Sequence, residues 1–225
     1  MRFIDRFSTA SFLRTILIAG LFTLNVNHAA AKVAASESFY TSKQASPEVQ
    51  QLQEGIASSK DNQDMPFVIL DKKQAKIFVY EKDGRNLGGA PALLGIAIGD
   101  KYYPGTGQIK LSQIRVEERT TPAGRFQARL GKNTHGQEVL WVNYDMGIAI
   151  HPVVTSNPKE HRLERLRSQD PKQHRISFGC INVPKNFYNT IISPIFKAQG
   201  GIVYVLPDEM NIREVFGTYF QTTSI

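Results

Sequence analysis

The chain has one cysteine, Cys180, set in the run Ile176-Ser177-Phe178-Gly179-Cys180-Ile181-Asn182 with a glycine before the thiol and a polar amide two residues after it. A thiol attacks as thiolate, and its free pKa of about 8.5 falls beside an imidazolium or a helix N-terminus. Such a helix is expected from Pro184 onward. Proline suits a first turn, and Phe187, Tyr188, Ile191, Ile192 and Ile195 recur at helical spacing until Pro194 kinks or ends the element. Orphan backbone N–H groups of the same turn are placed to hold an oxyanion. The competing reading is an inert cysteine packed beside Phe178 and Ile181, and residue type alone leaves both open.

A nucleophile needs a base, and His135, His151, His161 and His174 are the candidates. His151 is preferred because it closes the apolar strand Ile148-Ala149-Ile150, a rigid element that would aim its ring; a hydrogen-bonded histidine at a strand end is the plainer alternative. His135 lies in a Gly-flanked turn, and His161 and His174 in a polar stretch. No His or Cys pair has the close spacing of a zinc site. Gly105-Thr106-Gly107 lacks the lysine and the strand-turn-helix setting of a phosphate loop. No G-x-S-x-G elbow supports a serine triad.

The elements that must position these residues are mostly β. Phe67–Leu70 and Ala75–Tyr80 flank a polar turn as a hairpin would, and Ala92–Ile98 reads as a third strand. The polar, turn-rich stretch 99–121 is long enough to be a functional loop, with Tyr102 and Tyr103 lining a cleft. Strands follow at Arg125–Leu130, Glu138–Tyr144 and Gly147–His151, and Ile202–Leu206 reads as a buried closing strand. Pro158–Arg167 is compatible with a short basic helix in which Leu163 and Leu166 pack inward. Residues 32–65 read as a linker with one short helix, and 208–225 as a C-terminal tail.

Residues 1–31 carry Arg2, Arg6 and Arg14, an apolar run from Ile16 to Leu24, and Ala29-Ala30-Ala31. That order predicts a cleaved secretory signal peptide, the run being well short of the roughly 20 residues that span a bilayer. Export to the periplasm or cell envelope is the expectation, with no stable transmembrane segment after cleavage. The 225 residues are 41% apolar and 21% charged, which excludes collagen-like and wholly disordered chains, and a single cysteine excludes an intramolecular disulfide. The formal charge of +7 suggests an acidic partner, with nucleic acid, anionic lipid and carboxylate-rich cell wall all open.

Taken together, residues 66–207 resemble the L,D-transpeptidases with a YkuD-type catalytic domain. His151 followed by Ser177-Phe178-Gly179-Cys180-Ile181-Asn182 is similar to the family's upstream His and Ser/Thr-His-Gly-Cys motif, and Thr121-Pro122-Ala123-Gly124-Arg125-Phe126 to its Thr-Pro-x-Gly-x-Phe turn. Two features depart: Phe178 replaces the motif's second His, and the stretch between His151 and Ser177 is longer, so its basic part, Lys159–Arg175, looks like an inserted lid or rim. The resemblance implies a β-sandwich with one helix after the nucleophile and a helical insert, acting without cofactor or metal. It implies catalysis by Cys180 and His151, an oxyanion site at Gly179 and Cys180, a pocket shaped by Ser177, Asn182 and Arg175, and a substrate rim at Tyr102 and Tyr103. The implied partners are peptidoglycan stem peptides, a lipoprotein lysine among the acceptors and carbapenem inhibitors, with no nucleic acid. A catalytically impaired peptidoglycan-binding relative is the alternative, and a Cys-His hydrolase of stem peptides a further one.

Overall fold

A computed structural model describes residues 39–217; the segment read as a signal peptide lies outside the described residues, as does the end of the tail. The chain is mostly β, with a large mixed sheet and short helices. β1 (Phe67–Asp71) and β2 (Lys76–Tyr80) form the expected hairpin, Phe67 opposite Tyr80. The third strand is displaced from its expected position. β3 (Asn86–Pro91) pairs with β2, while Ala92–Ile98 contributes only the short β4 (Leu94–Gly95). Gly88 and Gly89 hide β3 from any hydrophobic pattern, and Gly89 is needed because a Cβ there would lie 2.7 Å from the Phe78 ring.

β5 (Gly124–Lys132), β6 (Glu138–Asn143) and β7 (Ile148–Pro152) form a meander, and β9 (Ile181–Val183) adds to β7 in parallel. β10 (Gly201–Val205) lies between β1 and β5, which gives the order β3-β2-β1-β10-β5-β6-β7-β9. β5 belongs to both halves: Gly124–Ala128 pairs with β10 and Arg129–Lys132 with β6. One face of both halves converges on a common core, Val68, Leu70, Ile77 and Val79 from one and Leu140, Val142, Ile150 and Ile181 from the other. The arrangement is sandwich-like, with the halves joined through one strand. β8 (Arg175–Ser177) pairs with β4 outside this sheet.

The helix after the nucleophile is interrupted. α3 (Lys185–Phe187) passes through a π turn (Tyr188–Ile192) into α4 (Ser193–Phe196), burying Phe187, Tyr188, Ile192 and Phe196 in the common core. Pro194, expected to kink or end the helix, sits in the first turn of α4; the π turn just before it absorbs the missing donor. In the insert, α2 (Arg162–Arg167) buries Leu166 and leaves Leu163 exposed. Among the described residues no helix is long and apolar enough to cross a membrane.

The stretch read as a linker is folded in its described part. α1 (Pro47–Ser59) is capped by Ser46, whose Oγ accepts from the Val49 amide, and Pro47 and Glu48 suit its first turn. Val49, Leu52 and Ile56 recur at i, i+3 and i+7 and are fully buried against Phe67, Ile69, Phe78 and Tyr204 on the second face of the sheet. The same cluster takes Phe216 from α5 (Ile212–Phe216), so the expected tail is also packed in its described part. The sparse apolar residues of 39–65 concealed this because one helical face needs only three of them.

The β1–β2 turn holds a buried lysine. Lys72 Nζ donates to Asp100 Oδ1 (2.6 Å), Gly99 O (2.8 Å) and Thr121 O (2.8 Å) and lies 3.3 Å from Asp208. Asp100 also accepts from the amides of Asp208, Glu209 and Met210, and Asp208 from Arg175 at 2.6 Å. Two cations and two carboxylates thus neutralise one another out of water, the condition under which buried charge is tolerated. Burial opposes the Asp100 charge, but Lys72 and the three amides outweigh it and hold the carboxyl at about 2.

Two outcomes follow in urea unfolding. Leu52→Ala should cost about 2–5 kcal/mol, as for a core leucine, where a linker residue would cost almost nothing. Asp100→Asn should cost about 3–5 kcal/mol at pH 7. Because the folded pKa lies below the unfolded value of about 3.9, the contribution of the Asp100 charge is complete above that value. It fades as pH falls towards about 2, where the two proteins should converge.

Candidate active site

Cys180 lies in the bend between β8 and β9, so β9 separates it from α3; the expected helix N-terminus is not its neighbour. Gly179 adopts φ of +123°, and a Cβ there would stand 2.5 Å from Ile148 Cδ1 and 2.6 Å from Thr120 O, so the bend admits only glycine. Ser177 Oγ accepts from the Gly179 amide (3.0 Å) and donates to Cys180 O (2.6 Å). Asn182, fully buried, donates to the same carbonyl at 3.2 Å. Thr121 Oγ1 donates to Gly179 O (2.9 Å) and accepts from the Gly95 amide (3.0 Å). These bonds fix the bend from both sides. They also use the Gly179 N–H, one of the two amides expected at the oxyanion site.

His151 and Cys180 come together through sheet register. β7 and β9 are parallel neighbours with His151 opposite Asn182 and Ile150 opposite Ile181. Ile150 and Ile181 point into the core, so His151, Asn182 and Cys180 share the other face. His151 Nδ1 lies 2.8 Å from Pro152 O. A carbonyl only accepts, so Nδ1 carries the proton and Nε2 keeps the lone pair. Burial lowers the His151 pKa and the Arg162 charge adds to this, against the Pro152 carbonyl; the ring is a neutral base at neutral pH. Burial pushes the half-buried Cys180 thiol up, opposed by the Ala149 amide and by Arg162. The S–H donates to Gly147 O at 3.4 Å. The resting pair is therefore neutral thiol and neutral imidazole.

Arg162 is the site residue that sequence reading placed only in a basic rim. Its Nη1 donates to Asn182 Oδ1 at 2.6 Å and its Nε to Glu160, which brings α2 of the insert onto the site. Its local sequence carries no signal of this, because the contact depends on how the insert folds back. Arg175 goes the other way. Its guanidinium donates to Asp208 and to Lys72 O (3.2 Å), so it belongs to the buried charge cluster and not to the pocket at Cys180.

Phe178, in the place of the motif's second His, lies under the Arg119 guanidinium, 4.3 Å from its ring centre. Tyr102 donates to Asp145 at 2.6 Å, and the Gly107 amide to Asp145 O at 3.0 Å, which seats this loop on the turn that ends at Gly147. Tyr103 instead packs against the common core. Among the described residues no group of three or more His, Cys, Asp or Glu side chains is arranged to hold a metal ion.

No protein-family model matches the sequence, and no curated protein matches it. The fold is similar to that of an L,D-transpeptidase, LdtMt1, solved in complex with imipenem, at 16% identity and a TM-score of 0.36 over 63% of this chain and 59% of that one. It is similar to an L,D-transpeptidase from Stackebrandtia nassauensis at 15% identity and a TM-score of 0.39, over 73% and 68%. A third, from Xylanimonas cellulosilytica, gives 17% identity and a TM-score of 0.36, over 63% and 60%. The chain thus spans about three fifths of the first of these.

The protonation state of the thiol is measurable. Alkylation of Cys180 by iodoacetamide should keep accelerating above pH 9, because burial raises the thiol above its ordinary range. Arg162→Gln removes the opposing charge and should move the midpoint higher still; a midpoint below pH 8 in the unaltered protein would contradict the buried, neutral thiol.

Proposed function

We propose that the chain is an exported, cysteine-dependent L,D-transpeptidase that acts on peptidoglycan stem peptides in cell-wall remodelling. The observation that supports this reading is a thiol at the entry to β9 and a neutral imidazole on its parallel neighbour β7, the imidazole fixed through Nδ1 on a backbone carbonyl so that Nε2 is free to take a proton. Rotation about Cβ–Sγ frees the S–H from Gly147 O, and Nε2 removes the proton as sulfur attacks the carbonyl of the third stem residue. The Cys180 amide faces the developing oxyanion. The C–N bond to D-Ala then breaks, the imidazolium protonates the leaving amine, and a thioester remains on Cys180. An acceptor amine attacks next, losing a proton to Nε2, and the thiolate leaves and is reprotonated. A second stem as acceptor gives a 3→3 cross-link, a lipoprotein lysine gives protein attachment, and water gives carboxypeptidase action. Carbapenems acylate the same thiol.

A second reading is a peptidoglycan-binding relative with weak or no catalysis. It is favoured by the raised thiol pKa and by Phe178, which faces a guanidinium where a second imidazole would supply a proton relay.

Mass spectrometry of the purified protein with disaccharide-tetrapeptide separates the readings. Loss of D-Ala with new 3→3 dimers, absent in Cys180→Ala and at least about 100-fold slower in His151→Ala, is the expected outcome. Tripeptide without dimers indicates hydrolysis, and unchanged tetrapeptide with folded protein favours the binding relative.

A further inference from the structure

The outer face of the β5–β9 half carries a row that ends at Cys180 and begins with residues the proposed chemistry leaves unused. Arg129 pairs with Trp141, and Trp141 with Ala149. The β7–β9 register, with Ile150 opposite Ile181, carries the row on to Cys180 beside Ala149. Leu140, Val142, Ile150 and Ile181 point into the core, so Arg129, Trp141, Ala149 and Cys180 lie on the opposite face. Two strand spacings of about 4.8 Å each put Trp141 about 10 Å from Cys180. Between them in the row stands Ala149, which is buried.

The surroundings of Trp141 are built for a flat ring. A Cβ on Gly131 would stand 2.8 Å from the indole Cδ1 and 3.0 Å from Nε1, so the missing side chain is what lets the indole lie over β5. Tyr144 meets the indole edge-on at 5.0 Å between ring centres and is 78% exposed, an aromatic ring held largely in water. Gln127 and Arg129 flank the pair, and together they line a hollow of about 370 Å³. An aromatic floor with an amide and a guanidinium at its edge matches a ligand that has one apolar face and a hydrogen-bonding rim. A pyranose ring has its C–H bonds on one face and hydroxyl and acetamido groups around the edge.

Resting on the stem-peptide reading above, we propose that Trp141, Tyr144 and Arg129 form a subsite for the N-acetylated sugar that carries the stem. With the indole over β5, the platform lies on the same face as Cys180, about three strand spacings away, so a sugar seated there directs its stem along that face towards the thiol.

Trp141 is the only tryptophan of the chain, so its fluorescence reports the site directly. The full-length Cys180→Ala protein, which cannot turn substrate over, is titrated with chitotetraose, with disaccharide-tetrapeptide and with the sugar-free tetrapeptide. Saturable emission changes with the two sugar-bearing ligands and none with the free tetrapeptide are expected. Tyr144→Ala, at an exposed position that leaves folding intact, should weaken binding at least ten-fold, and Arg129→Ala several-fold. Silent emission with chitotetraose, an equal response to the sugar-free peptide, or unchanged affinity in Tyr144→Ala would overturn the subsite. The enzyme reading is scored separately by D-Ala release from Cys180-containing protein. Release with a silent indole sinks the subsite alone, and sugar binding without release sinks the transpeptidase and leaves a glycan-binding face.

Discussion

The Lys72 ammonium is the contact on which the rest of the site depends. It is fully enclosed, and its bonds reach three parts of the chain: Gly99 and Asp100 at the start of the long loop, Thr121 at its end, and Asp208 beyond β10. Thr121 is the relay. Its carbonyl is held by Lys72 and its hydroxyl holds Gly179, so the bend that presents the thiol is anchored two bonds away from a buried charge. An uncompensated ammonium in this position would cost several kcal/mol, and the two carboxylates and two carbonyls around it are what make the anchor stable. The Thr-Pro-x-Gly-x-Phe turn gains a physical meaning from this. Its threonine needs a carbonyl for the lysine and a hydroxyl for both Gly95 and Gly179.

The Cys180–His151 pair is held uncharged in place of standing ionisation. Desolvation works on both partners, lowering the imidazole and raising the thiol, so each is neutral at rest. Arg162 acts on both from the insert, adding to the effect at the imidazole and opposing it at the thiol. Through Asn182 it bonds to the same strand that follows the thiol, and its charge favours thiolate while opposing imidazolium. The insert is thus electrically part of the site as well as a surface at its edge.

What was legible in the sequence was whatever repeats or stands alone. The period-two strands, the single thiol, the histidine closing a strand and the apolar helix after Pro184 all announced themselves by spacing. The residues that escaped were those whose meaning lies in long-range contact. Arg175 and Arg162 are both basic residues near the motif; only folding sends one to Asp208 and the other to Asn182. β3 was hidden by two glycines; the helix expected within 32–65 is present as α1, and what escaped was its packing on the sheet through only Val49, Leu52 and Ile56. The expected help from a helix N-terminus failed because three residues of strand, Ile181–Val183, intervene.

The position of β10 bears on the order in which the molecule assembles. It is the last strand among the described residues yet sits in the middle of the sheet, pairing with β1 in parallel and with β5 antiparallel. The β5–β6–β7 meander closes through local contacts and can form early, whereas the join to β1 waits for a partner more than a hundred residues downstream, an intrinsically slow kind of closure. Of the partners of Lys72, Gly99, Asp100 and Thr121 precede β10 and only Asp208 follows it. A chain that has not yet placed residues 201–205 therefore lacks the strand that joins its two half-sheets, so the two sides of the common core meet only when the fold is complete.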